Sequence, residues 1–103
     1  MTPLALDATW HAPVRLQIAG VLANVREAEF ARLRDIAQVS DSVLSKHLSA
    51  LAEAGYVKLR KGALDGRQRT WVSFTAEGRR AFAAHMGALR ALVESAEQAI
   101  AAE

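Results

Sequence analysis

The apolar residues in the first half of the chain recur at spacings of three and four, which predicts three helices. The first helix begins at Pro13, a residue suited to an initial helical turn, and ends near Asn24. A polar connector at 26–29, with room for a very short strand, leads to a second helix from Phe30 to about Gln38. The apolar face of the first helix consists of Val14, Ile18, Val21, Leu22 and Val25.

A third helix follows after a short join. Ser40 is a suitable N-cap because its hydroxyl can accept a hydrogen bond from a free backbone amide, and Gly55 is a suitable residue to end the helix. The inner face of this helix carries Leu44, Leu48 and Leu51. The outer face carries Asp41, Ser42, Val43, Ser45, Lys46 and Ser49. This outer face is small and polar, with little apolar bulk to bury.

Beyond Gly55 the pattern changes from helical to alternating, which predicts strands from Tyr56 to Lys61 and from Arg69 to Phe74. The tripeptide Leu64-Asp65-Gly66 supplies turn chemistry between them. Because this connection is about seven residues long, longer than a two-residue turn, we expect a hairpin with an extended, flexible tip.

The last helix is predicted to follow Thr75, a second suitable N-cap, and to end near Ala102. Its apolar residues repeat at alternating spacings of four and three, which is the pattern of a coiled-coil seam. The seam consists of Phe82, Met86, Leu89, Val93, Ala96 and Ile100. We expect the part near Phe82 to pack on its own chain and the part at 89–100 to pack against a second copy. The N-terminal residues assigned to the same interface are Leu4, Leu6 and Trp10.

The resulting order of three helices, two strands and one helix is that of a winged helix-turn-helix, an α+β fold that is mainly α. The chain, 1–103, is interpreted as one domain: an N-terminal arm at 1–10, a winged-helix core at 13–74 and a dimerisation helix at 75–102. In a two-fold dimer the two third helices would lie about 34 Å apart, one turn of DNA.

The composition excludes several classes of protein. The chain has 103 residues, of which 51% are apolar, and no cysteine. It therefore has no disulfide scaffold, thiolate metal site or cysteine nucleophile, which fits a reducing cytoplasm. No apolar run approaches the roughly 20 residues that a membrane helix needs. The segment 1–10 has no basic region and contains Asp7, so it does not resemble a signal peptide.

The net charge is only +2, but the charges are unevenly distributed. Residues 58–80 contain seven Lys or Arg and two acidic residues, a net charge of +5, whereas the rest of the chain has a net charge of −3. This concentration indicates a polyanionic partner at that segment. A solvated, charged hairpin is the alternative explanation.

The outer face of the third helix is suited to the major groove of DNA, because small polar side chains let the helix backbone sit deep in the groove. Its serines can donate to phosphates or base edges, Lys46 can reach a guanine or a phosphate, and Val43 can contact a thymine methyl group. An ordinary Ser-rich surface helix is the alternative. The candidate DNA contacts of this region are Ser40, Asp41, Ser42, Val43, Ser45, Lys46, His47 and Ser49.

The three histidines give little support for a metal site, because His11, His47 and His85 lack the spacing of metal ligands and no acidic cluster accompanies them. We interpret His47 as a half-buried residue that bonds backbone or phosphate and helps to orient the third helix. No cofactor is expected.

The basic hairpin is suited to a minor groove or to flanking phosphates, and Arg67 is suited to insertion into a narrow minor groove. Asp65 has two explanations that the sequence does not separate: it holds Arg67 in position, or it only forms the turn with Gly66. The candidate DNA contacts of the hairpin are Lys58, Arg60, Lys61, Asp65, Arg67, Gln68 and Arg69.

Several stretches resemble known regulators. The segments 30–35, 39–41 and 44–57, the last reading Leu-Ser-Lys-His-Leu-Ser-Ala-Leu-Ala-Glu-Ala-Gly-Tyr-Val, resemble the helix-turn-helix of small winged-helix transcriptional regulators. The segments 66–70 and 74–79 resemble their wing and the start of their last helix, and 11–15 is similar to the opening of their first helix. The resemblance covers about residues 6–95 and is to the multiple-antibiotic-resistance (MarR) and arsenical-resistance (ArsR) repressor families.

This resemblance implies a homodimeric, sequence-specific DNA-binding transcription factor of a prokaryotic cell, located at the nucleoid in the cytoplasm, with repression as the expected mode. It implies that Ser42, Val43, Ser45 and Lys46 read a pseudo-palindromic operator and that Asp65 and Arg67 form the wing contact. The chain lacks the cysteine ligands of the metal-sensing members and the long N-terminal dimerisation helix of the antibiotic-resistance type. A small-molecule effector is left open.

Two other functions fit the sequence less well. No serine triad, paired carboxylates or phosphate-binding loop is present in the sequence, so an enzyme is not expected. A winged helix that binds proteins instead of DNA is the stronger rival. It predicts apolar anchors on the outer face of the third helix, where this chain has serines and a lysine.

Overall fold

The computed structural model describes residues 6–103. A short 3-10 helix precedes four α-helices and three strands. The elements are the 3-10 helix Ala8–Trp10, α1 Pro13–Leu22, β1 Ala28–Glu29, α2 Phe30–Ala37, α3 Asp41–Glu53, β2 Val57–Leu64, β3 Arg67–Phe74 and α4 Ala76–Ala101. The predicted order of elements is confirmed, and the 3-10 helix is an addition to it.

The helix boundaries follow from local chemistry. The hydroxyl of Ser40 accepts a hydrogen bond from the Val43 amide at 3.2 Å, and the hydroxyl of Thr75 accepts one from the Gly78 amide at 2.9 Å. Both predicted N-caps are therefore confirmed. The helix α2 ends where Gln38 adopts a left-handed conformation, and α3 is followed by Gly55 with φ of 83°.

The three strands form one antiparallel sheet in the order β1-β3-β2. The two-residue strand β1 pairs Ala28 with Val72, so the very short strand considered for the connector is present. The strands β2 and β3 pair along their whole length, from Val57 with Phe74 to Leu64 with Arg67. We call this hairpin, residues 57–74, the wing.

The expectation of a seven-residue, flexible tip is wrong. The strands extend to Leu64 and Arg67, and a two-residue turn of Asp65 and Gly66 joins them, with φ of 52° and 74°. Positive φ at both positions suits the Asp-Gly pair and matches the twist of the strands. Near the tip the apolar Ala63 and Leu64 are adjacent and exposed, and the facing segment 67–69 is polar, so no alternation of apolar side chains marked the paired segment.

The core gathers leucines from α1, α2 and α3 under one face of the sheet. Val57, Val72 and Phe74 cover this core from the wing. The fully buried side chains are Trp10, Ile18, Leu22, Leu33, Leu44, Leu48, Leu51, Val72 and His85. Burial of such apolar side chains stabilises the fold by about 1.5–3 kcal/mol each.

Trp10 belongs to this core and not to a dimer interface. Its side chain is 0% exposed, and its ring stacks on Tyr56 at 5.2 Å between centroids. It also meets the edges of Phe74 and Phe82 at 6.2 Å and 5.4 Å. The assignment of Trp10 to an interface is therefore corrected: the 3-10 helix turns the indole inward, which helical spacing could not predict.

The N-terminal segment is fastened to the end of α3 and to α4 by hydrogen bonds. The hydroxyl of Tyr56 donates to the Asp7 carboxylate at 2.5 Å, and the Asp7 amide donates to Nδ1 of His85 at 3.0 Å. The hydrogen bond to Asp7, with burial, raises the pKa of Tyr56 to about 12. Burial and the neighbouring His11 lower the pKa of His85 and outweigh the opposing effect of Asp7.

The helix α4 leaves the core part-way along its length. His85 and Ala88 are buried and Phe82 packs against the core, whereas every residue from Arg90 to Ala101 is exposed. The described part of the chain is consequently elongated, 63 Å in its longest dimension. Within residues 6–103, no helix is long and apolar enough to cross a membrane.

Candidate nucleic-acid interface

The outer face of α3 is uncovered. Leu44, Leu48 and Leu51 of the inner face are buried, whereas the opposite side faces solvent. The exposed side chains are Asp41, Ser42, Val43, Ser45, Lys46 and Ser49. Val43 is 39% exposed, as its position on the outer face predicted. The helix therefore offers small, polar side chains and one cation on a surface that the described chain does not use for its own core.

Side chains of the first turn of α3 form hydrogen bonds within the chain. The Ser40 hydroxyl caps the helix and lies 3.2 Å from the Ser42 hydroxyl. The Asp41 carboxylate accepts a hydrogen bond from Arg34 of α2 at 3.1 Å. Arg34 also contacts Asp35 at 3.3 Å. Sequence reasoning missed Arg34, because only the helix-turn-helix angle brings it beside Asp41.

His47 lies at the edge of this face and is half-buried, as the sequence predicted. Its Nδ1 accepts a hydrogen bond from Nε of Arg15 at 3.0 Å, so its partner is a side chain of α1. Burial, Arg15 and Lys46 together lower the pKa of His47. Arg15 was the second residue that sequence reasoning missed, since 32 positions separate it from His47.

The wing divides its basic residues between two faces. Directly paired residues share a face, so Arg60 lies with Trp71, and Arg69 and Arg67 follow on that face toward the tip. Lys61, paired with Thr70, lies on the opposite face. Nearer to the start of the hairpin, this same face covers the core. The cations therefore surround the distal half of the wing.

Two of these cations are paired with carboxylates of the connector before α2. Arg60 contacts Glu27 at 2.6 Å, with its guanidinium 5.6 Å from the centre of the Trp71 ring. Arg69 contacts Glu29 at 2.6 Å. The sequence placed these two acids only in a polar connector. The pairing lowers the positive charge that Arg60 and Arg69 present to a polyanion.

The remaining basic side chains of the wing are exposed. Lys58, Lys61 and Arg67 form no ion pair with any residue in 6–103. Asp65 has no hydrogen bond to Arg67 within the same range, and its φ of 52° places it in the turn. Of the two explanations for Asp65, the structure supports the turn-forming one.

Comparison with known proteins identifies the family. A profile of the winged helix DNA-binding domain matches residues 14–93, which include α2, α3 and the whole wing. The chain belongs to this family. An uncharacterized protein of Methanocaldococcus jannaschii is 33% identical over 73 residues, which cover 71% of this chain and 79% of the relative. This winged-helix protein is therefore a DNA-binding transcriptional regulator, and its family is not enzymatic.

Solved structures agree with the assignment. A transcriptional regulator homologue from Pyrococcus horikoshii superposes on this winged-helix protein with a TM-score of 0.80 and 28% identity, covering 86% of this chain and 88% of that one. NadR in complex with 4-hydroxyphenylacetate superposes with a TM-score of 0.69 at 23% identity, covering 93% of this chain and 67% of NadR. Further neighbours are MarR family regulators. The resemblance seen in the sequence is confirmed.

The distal half of α4 is a second uncovered surface of this regulator. Val93 is 57% exposed and Ile100 is 70% exposed, although both belong to the predicted seam. Phe82 packs against the core, as expected, while Met86 and Leu89 are half-buried. Leu6 is 38% exposed, and Leu4 lies outside the described residues.

Proposed function

We propose that this regulator binds a pseudo-palindromic operator as a homodimer and represses transcription by occupying it. In this proposal the recognition segment 41–54, which is α3 with its C-cap Ala54, lies in the major groove, and the wing segment 58–70 contacts the minor groove or the backbone. The arm at 1–10 and the core at 13–74 hold these elements, and the helix at 75–102 joins the two copies. The protein would act at the nucleoid, in the cytoplasm.

The single observation that carries the proposal is the uncovered outer face of α3. Ser42, Ser45 and Ser49 offer hydroxyl groups there, Lys46 offers a cation and Val43 offers an apolar contact. A surface that bound a protein would need apolar anchors at its centre. Val43 is the one large apolar side chain on this face within the described residues, so the rival function has less support.

The wing supports the proposal through its unpaired cations. Lys58 is exposed near the start of the wing, Lys61 and Arg67 are exposed on its distal half, and Gln68 and Arg69 follow Arg67. Such a hairpin can bind phosphates and place an arginine in a narrow minor groove. We assign the direct contacts to Lys58, Lys61 and Arg67 and a bracing role to Arg60 and Arg69, which the carboxylates of Glu27 and Glu29 already hold.

A second copy of the chain is the proposed occupant of the distal half of α4. The apolar stripe there belongs to Leu89, Val93, Ala96 and Ile100, and residues 91–103 are exposed throughout. A helical segment this short is marginally stable in water without packing. A two-fold dimer would bury the same stripe on both copies at once.

The experiment that tests this proposal is binding to duplex DNA. Duplexes retained by the protein from a random pool should contain two inverted half-sites spaced by about one helical turn. Anisotropy measured against salt should show a steep loss of affinity, because bound phosphates release counterions. Binding no tighter than millimolar at about 50 mM salt would contradict the DNA function and favour the protein-binding one. A reporter gene behind a recovered site should be repressed.

Regulation by a small molecule is the remaining part of the proposal. NadR was solved with 4-hydroxyphenylacetate, which shows that a protein of this fold can hold a small carboxylate. In this chain a cavity of about 290 Å³ lies between the wing and the start of α2, with Phe30, Arg67, Arg69 and Thr70 among its lining residues. Thermal unfolding with and without 4-hydroxyphenylacetate tests this site, and an unchanged midpoint would argue against this effector.

A further inference from the structure

Arg15 connects three segments of the regulator at the edge of the DNA-facing surface. It is the third residue of α1, its Nη1 donates to the Thr9 carbonyl at 3.1 Å, and its Nε donates to Nδ1 of His47 at 3.0 Å. One guanidinium therefore links the 3-10 helix, α1 and α3. The planar guanidinium can hold two acceptors at fixed angles, which a lysine cannot do.

This contact determines which nitrogen of His47 carries the proton. A nitrogen that accepts a hydrogen bond from a guanidinium must present its lone pair, so Nδ1 is unprotonated and the neutral ring carries its proton on Nε2. Two positive groups act on the ring, Arg15 from α1 and Lys46 from its own helix. Together with burial they lower the pKa of His47 and keep the ring neutral.

The other edge of the ring is available. Within residues 6–103, Nε2 of His47 makes no hydrogen bond, and it is not among the buried side-chain atoms that lack a partner. The ring is half-buried next to the exposed Lys46 and Ser45. It thus lies at the rim of the α3 surface, where a groove-bound helix meets the sugar-phosphate backbone and not the base edges.

We propose that Arg15 is a positioning residue for DNA binding: it fixes His47 as the Nε2–H tautomer and aims that N–H at a phosphate oxygen beside α3. This rests on the proposed function. Arg15 acts through His47 and does not itself bind the phosphate. The contact is a neutral hydrogen bond, so it contributes orientation without adding a charge to the interface.

The first test needs no DNA. Long-range proton–nitrogen NMR spectra of the full chain distinguish the two neutral histidine tautomers and the imidazolium. We expect the Nε2–H tautomer for His47 at about pH 7, above the ordinary histidine pKa. The Nδ1–H tautomer or an imidazolium would overturn the proposal. In the Arg15→Met variant we expect a mixture of tautomers and a higher pKa for His47.

The second test is a double-mutant cycle with a labelled duplex of mixed sequence, which suits a phosphate contact. Arg15→Met and His47→Ala should each weaken binding about fivefold near pH 8, the effect of one hydrogen bond, and the double variant should bind no more weakly than His47→Ala. Additive effects would mean that Arg15 binds DNA itself. Arg26→Met, which removes an exposed cation of the connector, is the control for charge alone.

The pH dependence separates positioning from a structural role. Without Arg15 the pKa of His47 should rise toward that of an ordinary histidine, so the ring gains a proton more readily, and the resulting cation should partly restore affinity as the pH falls from about 8 to 6. The DNA affinity of the wild type should increase less over this pH range. In the double variant Arg15→Met, His47→Ala the additional increase seen with Arg15→Met alone should be absent. The same dependence of DNA affinity on pH in the wild type and in Arg15→Met would overturn the proposal. If the wild type does not bind the duplex at all, the proposed function is wrong. If it binds and the affinity losses of the two substitutions add, only this inference is wrong.

Discussion

The two halves of α4 carry one continuous apolar repeat, but only the first half is covered by the rest of the described chain, and there only in part. Phe82 packs against Trp10 and Phe74, and His85 is 1% exposed. Val93 and Ile100 continue the same repeat and are 57% and 70% exposed. A seam in the sequence therefore shows which face of a helix is apolar, but not whether the chain itself or a partner covers it.

The largest expected effect is at Gly78 in the first half. A β-carbon there would overlap the Tyr56 carbonyl oxygen, which already accepts a hydrogen bond from the Thr75 amide. Gly78→Ala should lower the free energy of unfolding by about 3 kcal/mol. The overlapping atoms belong to the backbone of Tyr56, which cannot move aside as the end of a flexible side chain can. Chemical denaturation measures this loss.

Gly87 provides the matched control, since it lies in the same helix and a β-carbon there would meet no atom within 4 Å beyond its own stretch of helix. Gly87→Ala should raise the free energy of unfolding by about 0.5–1 kcal/mol through helix propensity alone. Equal effects at both glycines would contradict the difference in packing between them.

Shortening the side chains of Phe82 and Val93 to alanine tests whether the two halves of α4 are covered differently. Phe82→Ala should cost about 3 kcal/mol at every protein concentration, because it opens a space next to Trp10. Val93→Ala should cost little in a monomer, with any loss depending on protein concentration. Thermal unfolding at low and high concentrations distinguishes the two. A concentration-independent loss at Val93 would mean that its own chain covers it.

Val93→Asp tests the proposed partner directly. It places a charge in the seam, so we expect monomers in sedimentation and weaker operator binding with an unchanged circular dichroism spectrum. A dimer that survives this substitution would put the interface on another surface.

The buried His85 makes the first half sensitive to pH. Its pKa is lowered in the folded protein, whereas the unfolded residue titrates near 6.5, so the unfolded state binds more protons between these values. Stability due to His85 is complete above pH 6.5 and is lost as the pH falls toward the folded pKa. In His85→Asn, whose Oδ1 can still accept from the Asp7 amide, the midpoint of unfolding should fall less on acidification. An equal fall in both proteins would exclude His85 as the cause.

The smallest effect on stability is expected at the wing tip. Arg67 is exposed and unpaired within residues 6–103, so Arg67→Ala should change the free energy of unfolding by no more than about 0.5 kcal/mol. It should weaken DNA binding and leave the dimer intact, in contrast to Val93→Asp. A large loss of stability would contradict the exposed position.

Local chemistry in the sequence predicted most of the elements. Ser40 and Thr75 begin α3 and α4 as predicted, because capping depends only on residues three positions apart. The hairpin tip was mispredicted, because strand pairing near Leu64 and Arg67 is made by backbone groups whose side chains show no alternation. Trp10 was misplaced, since nothing in an isolated N-terminal segment shows where a short 3-10 helix directs its ring.

The sequence by itself determined the order of the elements, the outer face of α3 and the basic segment of the wing, since each depends on spacing within one segment. Only the tertiary structure decided which charged groups are engaged. It paired Arg60 with Glu27, Arg69 with Glu29 and Arg15 with His47, across separations of 32 to 40 positions. Such contacts arise when the chain brings distant segments together, and no local pattern of residues encodes them.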